Sequence, residues 1–73
     1  MQYYQKLRKL REDRNLTQQD IADRLGVKQQ QYSNYERGLQ ELPIEHLVTL
    51  CLFYGVSANY ILSLPKDYTY PER

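Results

Sequence analysis

The sequence has few of the residues on which metal, disulfide and nucleophilic sites depend. Its 73 residues include one cysteine, Cys51, one histidine, His46, and no tryptophan. A lone cysteine excludes an intramolecular disulfide and a cysteine metal cluster, and a single histidine adds too little for a metal site. The chain also lacks a Ser–His–acid arrangement and a glycine-rich phosphate loop. We therefore expect no catalytic activity, no metal and no cofactor.

A long apolar run and a strong excess of charge are also missing. No segment matches the roughly 20 apolar residues of a membrane span, and no basic stretch precedes an apolar signal core. We therefore expect a cytoplasmic protein without a membrane partner. Ten Lys and Arg against nine Asp and Glu give a net charge of +1, which only weakly indicates nucleic-acid binding.

The hydrophobic pattern predicts an all-α domain of five helices, with no strand-like alternation. The expected helices cover about Gln2–Arg14, the residues after Thr17 up to Leu25, Gln29–Arg37, Ile44–Tyr54 and Ala58–Leu64. Pro43 marks the start of the fourth helix and Pro65 closes the fifth. We expect residues 1–64 to form the domain and residues 65–73 to form a C-terminal arm or a disordered tail.

The fourth helix accounts for the two residues that are most often reactive in other proteins. Cys51 lies in an apolar row with Leu47, Leu50 and Tyr54, so we interpret it as a buried core thiol rather than a nucleophile. His46 lies outside that row, and we interpret it as a solvated surface residue.

The most informative segment is Leu16–Gly38, which contains two short helical patterns joined at Gly26. Thr17 and Asp20 have the spacing of a capping box, and Gly26 can adopt the left-handed conformation that ends a helix. The second pattern is polar except for Tyr32 and Tyr35, which are three residues apart and should face the core. Its outward groups are largely amides, which can pair bidentately with an adenine edge. This pattern is typical of a helix that enters a DNA groove.

The order of several short motifs resembles the Cro/repressor-type helix-turn-helix proteins, also called the Xre family. The matching residues are Leu7–Arg11, Leu16–Gln18, Ile21–Ala22, Leu25–Val27, Tyr35–Gly38, Pro43, Leu47, Leu50, Gly55–Ser57 and Tyr60–Leu62. The resemblance covers roughly Tyr3 to Leu64. It implies a compact five-helix, lambda-repressor-like domain. It also implies a sequence-specific transcriptional regulator, expected to be a repressor that occupies a double-stranded DNA operator as a dimer.

The family resemblance assigns base contacts to the start of the third helix. Gln29, Gln30 and Asn34 match positions that face the major groove, and Gln31 is a fourth candidate. The alternative is that glutamine is simply a good helix former on a solvated surface. Three consecutive glutamines at this place favour base readout.

Phosphate contacts are expected around the base-reading helix, where they would fix its register. Gln18 and Gln19 begin the second helix, whose free N–H groups favour an anion. The full set of candidates is Gln18, Gln19, Lys28, Ser33, Arg37 and Arg14. The loop Leu39–Leu42 departs from the family, because it has no Lys or Arg and contains Glu41. This departure argues against tight binding to a single half-site.

Two further expectations concern the internal structure and the assembly of the domain. By resemblance, Arg11 and Glu36 should form a structural ion pair between the first and third helices. Apolar residues in the fifth helix and the tail exceed what a small core can bury, so we expect a homodimer through this region. They are Val56, Ile61, Leu62, Leu64, Tyr68 and Tyr70. An alternative function is a protein-interaction module or an antitoxin-like partner with the same fold.

Overall fold

The computed structural model describes residues 1–64, which form five α-helices and no strand. The helices are α1 (Tyr3–Asp13), α2 (Gln18–Leu25), α3 (Gln29–Glu36), α4 (Ile44–Tyr54) and α5 (Ala58–Leu62). The predicted all-α, five-helix fold is therefore confirmed. The expected arm or tail at residues 65–73 lies outside the described residues.

The ends of α2 follow directly from local sequence chemistry. The Asp20 N–H donates to Thr17 Oγ1 at 3.0 Å, and the Thr17 N–H donates to Asp20 Oδ2 at 2.8 Å. Hydrogen bonds from the Thr17 backbone N–H and the Thr17 hydroxyl hold the pKa of the Asp20 carboxyl below its usual value. Gly26 follows the helix at φ +73°, in the left-handed region. The predicted capping box and the glycine termination are both confirmed.

Other helix ends differ slightly from the pattern. Gln2 and Arg14 are the cap residues of α1 rather than members of it, and Arg37 caps α3. The fifth helix ends at Leu62 instead of Leu64, since Ser63 adopts φ +61° and the Leu64 N–H donates to the Asn59 carbonyl at 2.9 Å. Leu64 precedes a proline, and proline disfavours the helical conformation in the residue before it.

One apolar core joins all five helices. It contains Leu7, Leu10, Ile21, Ala22, Tyr32, Tyr35, Leu50, Tyr54 and Ile61. Burial of these side chains supplies the main driving force for folding, at about 25 cal/mol for each Å² of apolar surface removed from water. Tyr32 and Tyr35 face this core, as their spacing predicted. Ile61 is also fully buried, so it is unavailable to a partner.

Two predictions about α4 were wrong in degree. Cys51 is only partly buried and packs at the edge of the core, although burial does raise the pKa of its thiol. His46 is not fully solvated, because its ring lies 6.0 Å from that of Tyr35 between centroids. The buried residues of α4 are Leu50 and Tyr54. His46 lies four residues before Leu50, on the same side of the helix, and Cys51 lies beside that row.

The outer face of α4 carries an apolar stripe that was not predicted from the sequence. Ile44, Val48 and Leu52 recur every four residues and are 71%, 53% and 79% exposed. The same helix directs Leu50 and Tyr54 into the core, so it is apolar on both sides. Within residues 1–64, no helix is both long and apolar enough to cross a membrane.

Candidate nucleic-acid interface

A tight turn fixes the angle between α2 and α3. After Gly26, the Val27 N–H donates back to the Ala22 carbonyl at 3.0 Å, and the Val27 side chain packs against the core. Lys28 then precedes α3 in an extended conformation with its side chain exposed. Because the turn is closed by a backbone bond and anchored by Val27, the start of α3 has a defined direction.

The third helix has a buried side and a polar exposed side. Tyr32, Tyr35 and Glu36 are buried, and the two tyrosine rings meet edge to face at 6.5 Å between centroids. Gln29 and Gln30 are exposed at the first turn. The helix is thus held by aromatic packing on one side while its first-turn amides remain accessible.

A buried ion pair joins the end of α3 to α1. Arg11 Nε donates to Glu36 Oε2 at 2.9 Å and Arg11 Nη2 donates to Glu36 Oε1 at 2.8 Å. The third guanidinium nitrogen, Nη1, donates to the Leu16 carbonyl at 2.8 Å. The two side chains are 12% and 2% exposed. The predicted pair is therefore present, and Arg11 also holds Leu16, the residue before the Thr17 cap of α2.

The electrostatics of Glu36 reflect its partners. Burial alone would raise the pKa of the Glu36 carboxyl, but the hydrogen bond from Arg11, the nearby Tyr32 hydroxyl, the hydrogen bond from Gln18 and the charge of Arg11 outweigh burial. The pKa of this carboxyl is consequently below its ordinary value. The same bond and the negative charge of Glu36 raise the pKa of Arg11. Glu36 therefore remains an anion at neutral pH.

Gln18 connects this ion pair to the exposed face. Its Nε2 donates to Glu36 Oε1 at 3.3 Å, and its Oε1 accepts a bond from Gln29 Nε2 at 3.2 Å. The structure therefore brings together one candidate phosphate contact and one candidate base contact. Their amides are oriented by a buried carboxylate, which reduces the conformational freedom that binding would have to remove.

The remaining amide candidates have separate partners. Gln30 Nε2 donates to Asn34 Oδ1 at 3.2 Å, one turn further along α3. Gln31 Nε2 instead donates to the Tyr35 hydroxyl at 2.9 Å. Gln30 and Asn34 thus share one row on α3, whereas the amide of Gln31 is engaged by a buried residue.

The other phosphate candidates are not equally close to α3. Lys28 and Arg37 flank the helix and are exposed, and Ser33 is partly buried within it. Gln19 Nε2 donates to Asp23 Oδ1 at 2.8 Å within α2. Arg14 lies at the contact of α1 with α4, where its Nη2 donates to the Tyr54 carbonyl at 2.9 Å. The structure does not bring Arg14 together with the flanking cations.

One polar residue beside α3, Gln40, was not predicted to belong to the site. Asn34 Nδ2 donates to Gln40 Oε1 at 3.4 Å, and the Asn34 carbonyl accepts bonds from the N–H groups of Leu39 and Gln40. A polar residue two positions after Gly38, at the end of a helix of amides, was the only signal in the sequence. The contact between Asn34 and Gln40 depends on how the turn at Gly38 folds, which the spacing of residues in the sequence does not determine.

Two buried hydroxyls lie near the ion pair without a hydrogen bond of acceptable geometry among the described residues. They belong to Tyr32 and Tyr54. Burial raises the pKa of Tyr54 to about 12, and burial together with the nearby carboxylate of Glu36 also raises the pKa of Tyr32. Both phenols are therefore neutral at physiological pH.

Comparison with known proteins finds sequence similarity to named transcriptional regulators. An uncharacterized HTH-type transcriptional regulator of Bacillus subtilis, YobD, is 38% identical over 65 residues, which are 89% of this chain and 58% of that protein. A cryptic phage CTXphi transcriptional repressor of Vibrio cholerae, RstR, is 38% identical over 58 residues, which are 80% of this chain and 52% of that protein. The chain thus spans a little over half the length of these relatives.

Fold and family comparisons agree. The crystal structure of a transcriptional regulator from Listeria innocua superposes with a TM-score of 0.83 at 21% identity, covering 96% of this chain and 65% of the other. At this identity the likeness shows a shared fold. The Helix-turn-helix family model matches residues 7–61, which include α2, α3 and the turn between them. The chain therefore belongs to the Cro/repressor-type, or Xre, helix-turn-helix family.

Proposed function

We propose that this domain binds double-stranded DNA in a sequence-specific manner, with α3 in the major groove. The observation that carries the proposal is the exposed amide face of α3, backed by a buried ion pair and two buried tyrosines. Amides at the start of a recognition helix suit base readout, because they donate and accept in one plane.

Base readout is assigned to the amides on the outer side of α3. Gln29, Gln30 and Asn34 are the proposed readers. Gln31 is the fourth, although its amide must first leave the Tyr35 hydroxyl, to which it now donates. A bidentate amide–adenine contact discriminates against another base by about 1–3 kcal/mol. Two or three such contacts per half-site would give a clear preference.

Contacts to the DNA phosphate backbone are assigned to the residues around these amides. Gln18, Gln19, Lys28, Ser33 and Arg37 are the proposed phosphate contacts. Arg14 belongs to the set only if its guanidinium exchanges the Tyr54 carbonyl for a phosphate. These contacts would supply affinity without reading sequence. Since the +1 net charge is small, few phosphates should be neutralised and the dependence on salt should be moderate.

The biological role that best fits is transcription regulation by a homodimer that occupies an operator. Relatives bear the names of transcriptional regulators and of a phage repressor. A dimer is supported by exposed apolar residues on and after α5, since Tyr60, Leu62 and Leu64 are 47%, 42% and 39% exposed. Two recognition helices about 34 Å apart would reach successive major grooves.

Selection of bound duplexes from a random DNA pool tests the function. The wild-type chain should enrich a two-part motif, and Gln30→Ala should cost about 1–3 kcal/mol on that motif while relaxing preference at particular positions. Lys28→Ala is the matched control, because it should weaken all sequences equally and lower the salt slope by about 1. Unchanged preference in Gln30→Ala would exclude direct readout by this residue.

Sedimentation at micromolar concentration tests the assembly. We expect a dimer whose association is weakened by Leu62→Gln, with the helical content unchanged. Val48→Gln is the control, because it changes apolar exposure on α4 instead. A strict monomer that binds one half-site would contradict the proposed homodimer.

A protein-interaction module is the second candidate, and the apolar stripe Ile44, Val48 and Leu52 favours it. Contiguous exposed apolar residues mark protein contacts. Salt distinguishes the two functions, because a complex held by phosphate contacts loses affinity as the salt concentration rises and an apolar interface does not. A chain that ignores DNA at low salt, yet binds a protein equally well at high salt, would support this candidate.

A further inference from the structure

Three amides form a continuous chain that leaves the third helix. Gln30 Nε2 donates to Asn34 Oδ1 at 3.2 Å, and Asn34 Nδ2 donates to Gln40 Oε1 at 3.4 Å. We name Gln30, Asn34 and Gln40 the amide row. Its last member is outside α3, in the loop before α4.

The row has a direction, and the direction determines what Gln30 can offer. An amide has one accepting oxygen and two donating N–H groups. Asn34 uses its oxygen toward Gln30 and a donor toward Gln40. Gln30 therefore keeps its Oε1 and one N–H, which is the acceptor and donor pair that an adenine edge requires. If the Asn34 amide turned over, its NH2 would face Gln30 Nε2, so Gln30 would have to turn over as well, and its Oε1 would then be occupied by Asn34.

We propose that Gln40 is a positioning residue for base readout, acting through the amide row although it lies outside the recognition helix. Its Oε1 accepts from Asn34 and so selects one orientation of the Asn34 amide, which in turn orients Gln30. This inference rests on the proposed DNA-binding function, because the residue it acts on is a proposed base reader.

The loop backbone supports this role and supplies a control. The N–H groups of Leu39 and Gln40 both donate to the Asn34 carbonyl, at 2.9 and 3.3 Å. The loop is thus pinned to α3 whichever side chains it carries. Leu39 is 62% exposed and has no polar side-chain atom, so Leu39→Ala changes a neighbouring side chain without touching the row.

The row itself is tested in the free protein by NMR of the Asn34 side-chain amide. Gln40→Met keeps a similar length but leaves only a weakly accepting sulfur. It should shift the Asn34 NH2 resonances and speed their exchange with water, while Leu39→Ala should leave both unchanged. Identical Asn34 resonances in Gln40→Met and the wild-type chain would overturn the proposal without reference to DNA.

The role in readout is tested by selection from a random duplex pool. Gln40→Met should reduce the preference at the base pair read by Gln30 by about two- to tenfold, the factor for one neutral hydrogen bond, with an unchanged salt slope. Gln40→Glu keeps an accepting oxygen, so it should retain the wild-type motif while its charge weakens binding to all sequences. Leu39→Ala should match the wild-type chain.

The outcomes separate the two proposals. A wild-type motif that Gln40→Met leaves intact would overturn the positioning role alone. A wild-type chain that enriches no motif would overturn the proposed function and the readout role with it. Equal loss of preference in Gln40→Met and Gln40→Glu would also overturn the role, because the accepting oxygen would then be irrelevant.

Discussion

The α2–α3 half and the α4–α5 half of the domain present different chemistry to solvent. On α3 the exposed groups are amides that bond to one another and, through Gln18, to the buried Arg11–Glu36 pair. On α4 the exposed groups include the apolar stripe Ile44, Val48 and Leu52. Both halves contribute to one core, so the contrast lies in their surfaces.

This contrast separates directional from non-directional recognition. Hydrogen bonds orient a side chain and so can select a base, whereas apolar contact depends on area and shape alone. Substitutions that disturb the ion pair should therefore affect folding and recognition together. Substitutions in the apolar stripe should leave the fold and the dimer intact and weaken only contact with a partner protein.

The ion pair should give the largest single effect. Glu36→Ala or Arg11→Ala leaves a buried charge without its partner, and we expect a loss of about 3–5 kcal/mol in the free energy of unfolding. DNA binding should weaken as well, since Gln18 loses its anchor in Glu36→Ala. Urea unfolding followed by circular dichroism measures the first effect.

The exposed pair Arg8–Glu12 is the matched control. Its side chains are 65% and 52% exposed, and such pairs contribute about 0–1 kcal/mol to stability.

In the double mutant Arg11→Ala/Glu36→Ala the loss of stability should be smaller than the sum of the single losses, because the partners are coupled. Additive losses would show that the two side chains do not interact in solution.

The same ion pair should make the free energy of unfolding depend on pH in the acid range. The pKa of Glu36 is lower in the folded chain than its ordinary value of 4.5, so its stabilisation is complete above about that pH. The stabilisation is lost as pH falls through the lower, folded value. Glu36→Gln should flatten this part of the stability profile, measured by urea unfolding at several pH values. An unchanged acid slope would assign it to other carboxyls, such as Asp20.

Local features of the structure were predicted from the sequence better than features that depend on how the helices pack. Thr17, Asp20 and Gly26 were predicted correctly because caps depend on residues only three or four positions apart. The stripe on α4, the partial burial of Cys51 and the bond of Asn34 to Gln40 were not. Each depends on the rotation of a helix or on the path of a loop, and neither is encoded in local spacing.

The two glycines that flank α3 differ in what surrounds them. Alanine substitutions there should change the free energy of unfolding by an intermediate amount. Gly26 and Gly38 have φ of +73° and +76°, but a Cβ at Gly38 would lie 2.7 Å from the Tyr4 ring whereas one at Gly26 meets nothing within 4 Å. Alanine at either site should cost about 1–2 kcal/mol for the left-handed backbone. Gly38→Ala should cost more, as measured by urea unfolding.

A Tyr4→Ala background isolates the contribution of the ring. In that background the two glycine substitutions should become equally costly. A persistent difference would mean that the loop after Gly38, not the Tyr4 ring, restricts this position. If Gly26→Ala retained the selected DNA motif and Gly38→Ala lost it, base readout would depend on the α3–α4 loop.

Removal of single tyrosine hydroxyls should give the smallest effects, and with opposite signs. The Tyr32 hydroxyl is buried without a well-formed hydrogen bond among the described residues, so Tyr32→Phe removes a desolvated polar group and should raise stability by up to about 1 kcal/mol. The Tyr35 hydroxyl accepts a bond from Gln31 at 2.9 Å, so Tyr35→Phe should lower stability by about 0.5–1.5 kcal/mol. Tyr35→Phe also frees the Gln31 amide, and selection from random DNA should then show preference at one further position.

Thermal unfolding of Tyr32→Phe and Tyr35→Phe measures the sign of each change in stability. A loss in Tyr32→Phe would mean that its hydroxyl has a partner in solution, a buried water or the Glu36 carboxylate, and the polar network would extend one step deeper into the core.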